Sequence, residues 1–354
     1  MHSERNEDGE SAQECRDDEA PRAHGNRAKT SPGRSTYGYP IMSDAWTCLV
    51  TGGAGFIGSS LVDVLIEQGH EVNVLDDLST GYAVQLNPEA RLIIGSVDDL
   101  GTVRTAVDGC DVVFHQAAHR AVLRSVEHPL ATDSANTHGT LTVLDAARNA
   151  GVRRVVYASS SSVYGGAELR PTPESTPLQP KSPYAVSKLA GEHYCRVFTE
   201  LYGIETFALR YFNVYGPRQR PESQYAAVIP LFIDALRGGR APIVHGDGKQ
   251  SRDFTFISDV VAANLAAAKA PSEAAGRAYN IAGGDEHSLL DLLEILGTVL
   301  GVEPEPEHSD PRPGDVRHTC ADVSAAERDL GWRAEISFEE GLKRTTEWFT
   351  QDDG

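Results

Sequence analysis

The glycine-rich run Thr51-Gly-Gly-Ala-Gly-Phe-Ile-Gly58 constrains this 354-residue chain more than any other feature. It follows the short apolar stretch 46–50 and opens residues 58–68, where Leu61, Val62, Leu65 and Ile66 recur at helical spacing. Glycines at 52, 55 and 58 permit a tight strand-to-helix turn, close approach of a ligand to the backbone, and close helix–strand packing. A helix starting there points unpaired N–H groups and the positive end of its dipole at whatever the turn holds, which suits a pyrophosphate.

The alternation continues along the chain. Residues 72–75 read as a second strand ending at Asp76, and 92–94, 111–115, 155–158 and 206–209 as further strands, with the longest helices over 130–150 and 183–202. Near-continuous apolar strands separated by helices predict an α/β fold with a parallel, doubly wound sheet. Beyond about residue 213 the strands shorten and Pro/Gly loops multiply (Gly216-Pro217, Gly246-Asp-Gly248, Arg312-Pro-Gly314). This predicts a smaller C-terminal α/β lobe over the sheet's carboxyl edge, with 42–212 mainly the nucleotide-binding domain and 213–354 mainly the lobe. Residues 1–41 hold almost no aliphatic side chains, a composition that predicts disorder. Met42, the second of only two methionines, stands directly before the first strand, so a translation start there rivals a genuine tail.

The chain has 51 Asp and Glu against 32 Lys and Arg, for a net charge of −19. The first 41 residues contribute only −2 of this, so the body itself is acidic. Such a surface repels nucleic acid and anionic lipid, and no apolar run approaches the roughly 18–20 residues of a membrane span. Neither nucleic acid nor membrane is an expected partner. With no apolar leader the expected location is cytoplasmic. Many carboxylates and only six Lys suit a salt-rich cytoplasm, where screening relieves self-repulsion, so halophilic behaviour is expected. Cys15, Cys48, Cys110, Cys195 and Cys320 are scattered and form no CxxC pair, which predicts neither disulfides nor a metal site.

Asp76 follows Gly58 by 18 residues. A carboxylate at the end of strand two accepts from ribose hydroxyls and repels a 2′-phosphate, which selects NAD over NADP. Tyr184-Ala-Val-Ser-Lys188 places a phenol and an amine on one helix face. An ammonium beside a phenol favours the phenolate, so Tyr184 is expected to fall below its ordinary pKa of about 10 and to act as a general base. The hydroxyl-rich run Ala158-Ser-Ser-Ser-Ser162-Val-Tyr164 ends strand five, at the sheet edge where ligands bind. A base and a hydroxyl beside a nicotinamide cofactor suit the oxidation of a secondary alcohol. His115, His119 and His138 read as packed or hydrogen-bonded side chains near the cofactor.

Taken together, the glycine run, the Ser run with Val-Tyr164-Gly, and Tyr184-Ala-Val-Ser-Lys188 resemble the extended short-chain dehydrogenase/reductase family over roughly residues 46–350. Arg210-Tyr-Phe-Asn213-Val-Tyr-Gly-Pro-Arg-Gln219, Gly246-Asp-Gly-Lys-Gln-Ser-Arg252-Asp-Phe and Arg312-Pro-Gly-Asp315-Val-Arg are similar to nucleotide-sugar 4-epimerases of the UDP-glucose/UDP-N-acetylglucosamine type. The resemblance implies a Rossmann-like fold and NAD-dependent 4-epimerisation of a UDP-sugar through a transient 4-keto intermediate. It implies Tyr184 as base, Lys188 on the nicotinamide ribose and Ser160 as hydroxyl partner. It implies a cofactor site of Gly52, Gly55, Phe56, Ile57, Gly58, Asp76, Asp77, Ser79, Val97, Ala117, Tyr184 and Lys188, supported by Asn136. Asn213, Arg252, Arg312 and Asp315 then hold the nucleotide, and Thr319 gates the sugar pocket. A small residue at the gate admits a 2-acetamido group where Tyr restricts the site to plain hexoses. The resemblance also implies a homodimer, formed through a four-helix bundle that includes the Tyr184 helix.

Departures from the family pattern narrow the reading. Ser161 and Ser162 stand where 4,6-dehydratases and UDP-glucuronate decarboxylases carry acidic side chains, so no general acid for elimination is present there. UDP-glucuronate 4-epimerases share the Ser run but usually carry Thr where Asn213 stands. That activity is one alternative, and net oxidoreduction of a nucleotide-sugar is another. A non-catalytic NAD sensor, which typically loses the Tyr/Lys pair, is the third. The usual Gly-Asp-Ile beside the adenine is Gly95-Ser96-Val97 here, which predicts a lost or altered contact to the base.

Overall fold

Strands β1 (Thr47–Thr51), β2 (Glu71–Asp76), β3 (Arg91–Ile94), β4 (Val112–His115), β5 (Arg154–Ser160) and β6 (Glu205–Tyr211) join the later strand Arg277–Ile281 in one parallel sheet. The computed structural model describes residues 45–221, 227–311 and 316–351; the tail, Met42, Arg312 and Asp315 lie outside the described residues. Strand order is Arg277–Ile281, β6, β5, β4, β1, β2, β3. Val50 on β1 sits between Val74 on β2 and Phe114 on β4, and all three are fully buried. Strands buried on both faces need continuous apolar runs, which is why they read as unbroken rather than alternating.

Helix α1 (Phe56–Glu67) and the later helix Ile257–Lys269 cover one face of the sheet. Helices α2 (Leu100–Val107), α5 (Gly139–Asn149) and α6 (Pro183–Tyr202) cover the other. Between β1 and β4 the strand order reverses direction, so the loops leaving their carboxyl ends diverge and open a crevice. This is the Rossmann-like doubly wound arrangement expected from the alternation.

Two local features shape the crevice. Helix α6 starts where Ser182 Oγ accepts from Ala185 N (3.1 Å) with Pro183 in its first turn, and it ends at Gly203 in a left-handed conformation (φ +73°). The expected helix over 130–150 is present and carries a π-helical turn within it. After α3 (Val122–Glu127) the chain forms α4 (Pro129–Asp133), a π-helical turn at Ser134–His138, and then α5. Thr140 Oγ1 donates to the Asn136 carbonyl at 2.5 Å across this wide turn, and Asn136 is buried. Such turns recur at functional sites because they re-aim one side chain without ending the helix.

Within the stretch 213–354 expected to form a smaller lobe, residues 257–281 return to the main sheet. Among the described residues, this stretch also holds three two-stranded pairings: Val214–Tyr215 with Thr255–Phe256, Ser251–Asp253 with Glu286–Ser288, and Ile243–His245 with Glu307–Ser309. No helix among the described residues is long and apolar enough to cross a membrane.

Candidate active site

The crevice forms a cavity whose wall contains Gly52, Gly55, Phe56, Ile57, Gly58, Asp76, Asp77, Ser79, Val97, Ala117, Tyr184 and Lys188. Gly52 has φ +68°, and a Cβ there would lie 2.7 Å from Ala117 N. A Cβ on Gly58 would collide with the Gly52 carbonyl. Both positions therefore require glycine, one for its conformation and one for the close helix–strand contact. Gly55 caps α1 without a side-chain hydrogen bond, which leaves first-turn N–H groups facing the cavity. These are the donors a pyrophosphate uses.

Asp76 closes one end of the cavity. Its Oδ2 accepts from Ala54 N (2.9 Å) and its Oδ1 from Leu78 N (2.8 Å), while burial pushes its pKa up against those two bonds. Each oxygen keeps a lone pair for a ribose hydroxyl. Leu78 is held at φ +57° by this turn. Asp77 Oδ1 accepts from both Ser79 N (2.9 Å) and Ser79 Oγ (2.6 Å). An open helix end, a cradle that any Cβ would fill and a fixed carboxylate together fit NAD.

Tyr184 and Lys188 mark the other end. Lys188 is buried, and its Nζ donates to the Ala158 carbonyl (2.7 Å), 6.0 Å from the Tyr184 ring centre and 5.0 Å from that of Tyr157. Burial lowers the Lys188 amine to about 7. Burial also raises the Tyr184 phenol above its ordinary value, opposed by a hydrogen bond from Ser160 and by the charge of Arg120. The expectation that Lys188 draws the phenol down is therefore corrected. Both groups are desolvated, and the amine is turned onto a carbonyl. Ser160 ends β5 opposite Tyr211 and accepts from Ser162 N (3.2 Å).

Asn136 braces this end. Its Oδ1 accepts from His119 N (2.7 Å), and its Nδ2 donates to the His119 carbonyl (3.2 Å) and to Ser187 Oγ (3.0 Å). His115 bridges Thr51 Oγ1 (2.7 Å) and Thr140 Oγ1 (3.0 Å), and burial lowers its pKa to about 3, so it is a neutral structural side chain. His119 lines the cavity with a buried Nδ1 that has no hydrogen-bond partner among the described residues. Arg120 also lines the cavity and went unnoticed in the sequence. The available signal was its place just beyond β4, at the carboxyl edge of the sheet.

The lobe gathers a second group. Asn213, at φ +32°, donates to the Asp253 carbonyl (2.9 Å) and lies 3.4 Å from Thr319 Oγ1. Asp253 N also reaches Thr319 Oγ1 (3.4 Å). The adjacent Arg252 donates from Nη1 to the Ser251 carbonyl (2.8 Å). Asn213, Arg252 and Thr319 thus come together although more than a hundred residues separate the first from the last.

Residues 48–282 match the NAD dependent epimerase/dehydratase family. The chain belongs to this family. It is 41% identical over 302 residues to a putative UDP-glucose 4-epimerase of Methanocaldococcus jannaschii, covering 85% of this chain and 97% of the relative. Among solved structures, it is similar to a UDP-N-acetylglucosamine 4-epimerase from Methanobrevibacter ruminantium in complex with UDP-N-acetylmuramic acid, with TM-score 0.83, 37% identity, and coverage of 87% of this chain and 99% of the other. A UDP-glucose 4-epimerase from Thermotoga maritima with UDP-glucose superposes with TM-score 0.84 at 36% identity, covering 87% and 100%. As a member of this family the protein uses NAD, and the cavity lies on the sheet edge where the glycine run leads a nucleotide to be expected.

Proposed function

We propose that this protein interconverts UDP-hexoses at C4, with UDP-N-acetylhexosamines among its substrates. The observation that carries the reading is one cavity lined by the glycine cradle and Asp76 together with Tyr184, Lys188 and the β5 residues Ala158 and Ser159, next to Ser160. NAD, when bound, would supply the reversible hydride acceptor that a redox-neutral inversion at C4 requires.

The protein's own residues handle the proton. Tyr184, ionised, takes the proton from the sugar O4, with the Ser160 hydroxyl in the hydrogen-bond path. Lys188, held on the Ala158 carbonyl, is placed for the nicotinamide ribose. The nucleotide is held in the lobe drawn mainly from residues 213–354, by Asn213 and Arg252, with Arg312 and Asp315 in the same role. The half-buried Thr319 leaves room for a 2-acetamido group. Ser161 and Ser162 offer no acid for dehydration, so the 4-keto sugar is reduced again rather than losing water.

A homodimer fits the surface. Val126, Leu130 and Val186, on α3, α4 and α6, are 62%, 85% and 53% exposed along the side carrying the Tyr184 helix. NAD and UDP-sugars are cytoplasmic metabolites, which supports a cytoplasmic enzyme. The deciding experiment incubates the protein separately with UDP-glucose, UDP-N-acetylglucosamine and UDP-glucuronate, resolving 4-epimers by chromatography while following NADH absorbance. Epimers of the first two without lasting NADH are expected. Sustained NADH would make the protein a dehydrogenase, and reaction of UDP-glucuronate alone would move it to that substrate.

A further inference from the structure

Ionised Tyr184 is needed in a cavity that resists ionisation, and Lys188 is turned onto a carbonyl. The segment after β4 supplies another cation. Gln116, Ala117, His119 and Arg120 line the same cavity as Tyr184. Arg120 has no hydrogen-bond or ion-pair partner among the described residues, in a chain with 51 carboxylates. Arg120 is exposed to solvent and at the same time lines the cavity, so its guanidinium is available to a negative charge that arises there.

The segment is rigidly tied to Tyr184. Asn136 grips His119 through both backbone groups, at 2.7 and 3.2 Å, and its amide also donates to Ser187 Oγ at 3.0 Å. Ser187 Oγ in turn donates to the Tyr184 carbonyl at 2.8 Å. One buried side chain therefore fixes the residue before Arg120 relative to the turn of α6 that carries the phenol. Directly after Arg120, Ala121 is held at φ +93°, a conformation costly for any residue with a Cβ. Strain next to a cavity-lining arginine marks a position fixed for more than chain connection.

We propose that Arg120, acting through Tyr184, is the cation that stabilises the phenolate in this cavity. The proposal rests on the epimerase reading and adds a residue to it. The other groups facing the phenol are Ser160 and Tyr157 from β5 and Lys188 from α6. Arg120 also faces Tyr82 from the cofactor loop. His119, lowered by burial and by Arg124, is a neutral neighbour at pH 7.

Two readouts test it on the intact protein. In an ultraviolet difference titration of the phenolate, with Tyr184→Phe as blank, Arg120→Ala should raise the Tyr184 pKa by about one unit, and Arg120→Lys should recover most of the shift. In turnover, Arg120→Ala should move the acid limb of the kcat profile upward by the same amount, with KM and NAD affinity within about twofold. Arg120→Gln replaces the Ala variant if the latter does not fold. An unmoved titration overturns the proposal, and with a raised KM or weakened NAD binding it would make Arg120 a phosphate contact instead. The titration needs no substrate, so failure of the epimerase reading, seen as no epimer from the wild type, stays distinguishable from failure of the proposal.

Discussion

Arg210 and Glu192 form a buried, two-pronged ion pair, with Nε 2.9 Å from Oε1 and Nη2 2.7 Å from Oε2, the side chains only 5% and 7% exposed. Glu192 lies one turn beyond Lys188 on α6, and Arg210 lies on β6. Ser159, beside Ser160, donates to Glu192, and Arg210 Nη1 reaches the Tyr164 hydroxyl at 2.7 Å. The pair therefore bolts the Tyr184 helix to the strand end that carries the Ser run. Burial opposes the Arg210 charge, but Glu192 outweighs it and holds the guanidinium pKa above its usual value.

Breaking one half of the pair should be costly. Glu192→Gln leaves a buried, uncompensated guanidinium and should lower stability by about 3–5 kcal/mol in denaturant unfolding. Replacing both partners, as Glu192→Leu with Arg210→Met, should recover most of that loss, since well-packed apolar pairs substitute for buried ion pairs. A single variant as stable as the wild type would show that the pair does not brace the fold.

Asp253 links pH to stability. Its carboxylate accepts from Gly284 N (3.1 Å) and Ala321 N (3.0 Å), yet burial dominates and raises its pKa from 3.8 to about 7. Unfolded, the group ionises near 3.8; folded, it keeps its proton to about 7. Between those values the native state binds the extra proton, so this group's contribution to stability falls as pH rises from about 4 to 7. The Tm of Asp253→Asn should lack that component of the slope, although the variant is less stable at acid pH because one backbone N–H loses its acceptor. Parallel Tm–pH curves for the two proteins would contradict this.

Thr319 sits 3.4 Å from Asn213 Nδ2, and in the proposed function it gates the sugar pocket. Thr319→Tyr should abolish turnover of UDP-N-acetylglucosamine while leaving UDP-glucose within a fewfold of wild type. Equal loss on both substrates would remove Thr319 from any role in selecting the sugar.

A net charge of −19 with only six Lys points to salt dependence. Molar KCl should raise Tm by screening repulsion between carboxylates. A Tm that is flat or falls with KCl would argue against adaptation to high salt.

Much of the fold was legible because its signals are local. Ser182, Pro183 and Gly203 bracket α6 at both ends, and the glycines at 52, 55 and 58 are spaced by the geometry of a single turn. What was illegible depends on contacts between distant segments. The π-turn at Asn136 arises where α5 packs close to Val97, which a Cβ on Gly139 would approach to 2.7 Å. The return of Arg277–Ile281 to the sheet is a pairing with β6 that no local pattern announces. Arg120 reads as any surface arginine, and only the folded loop after β4 shows that this exposed residue also lines the cavity. The direction of the phenol's pKa is not legible in the sequence, because helical spacing shows that Lys188 is near but not that burial acts on both groups.

The central claim is that C4 is inverted by removing and returning the same hydride, with Tyr184 moving only the proton. It is tested most directly by following UDP-[4-²H]glucose through the reaction in the presence of excess unlabelled NAD. The expected product is UDP-galactose that keeps its deuterium at C4, with Tyr184→Phe slowing its formation by about 10²–10⁴. Loss of the label to solvent or to the added NAD, or full-speed turnover by Tyr184→Phe, would contradict the account.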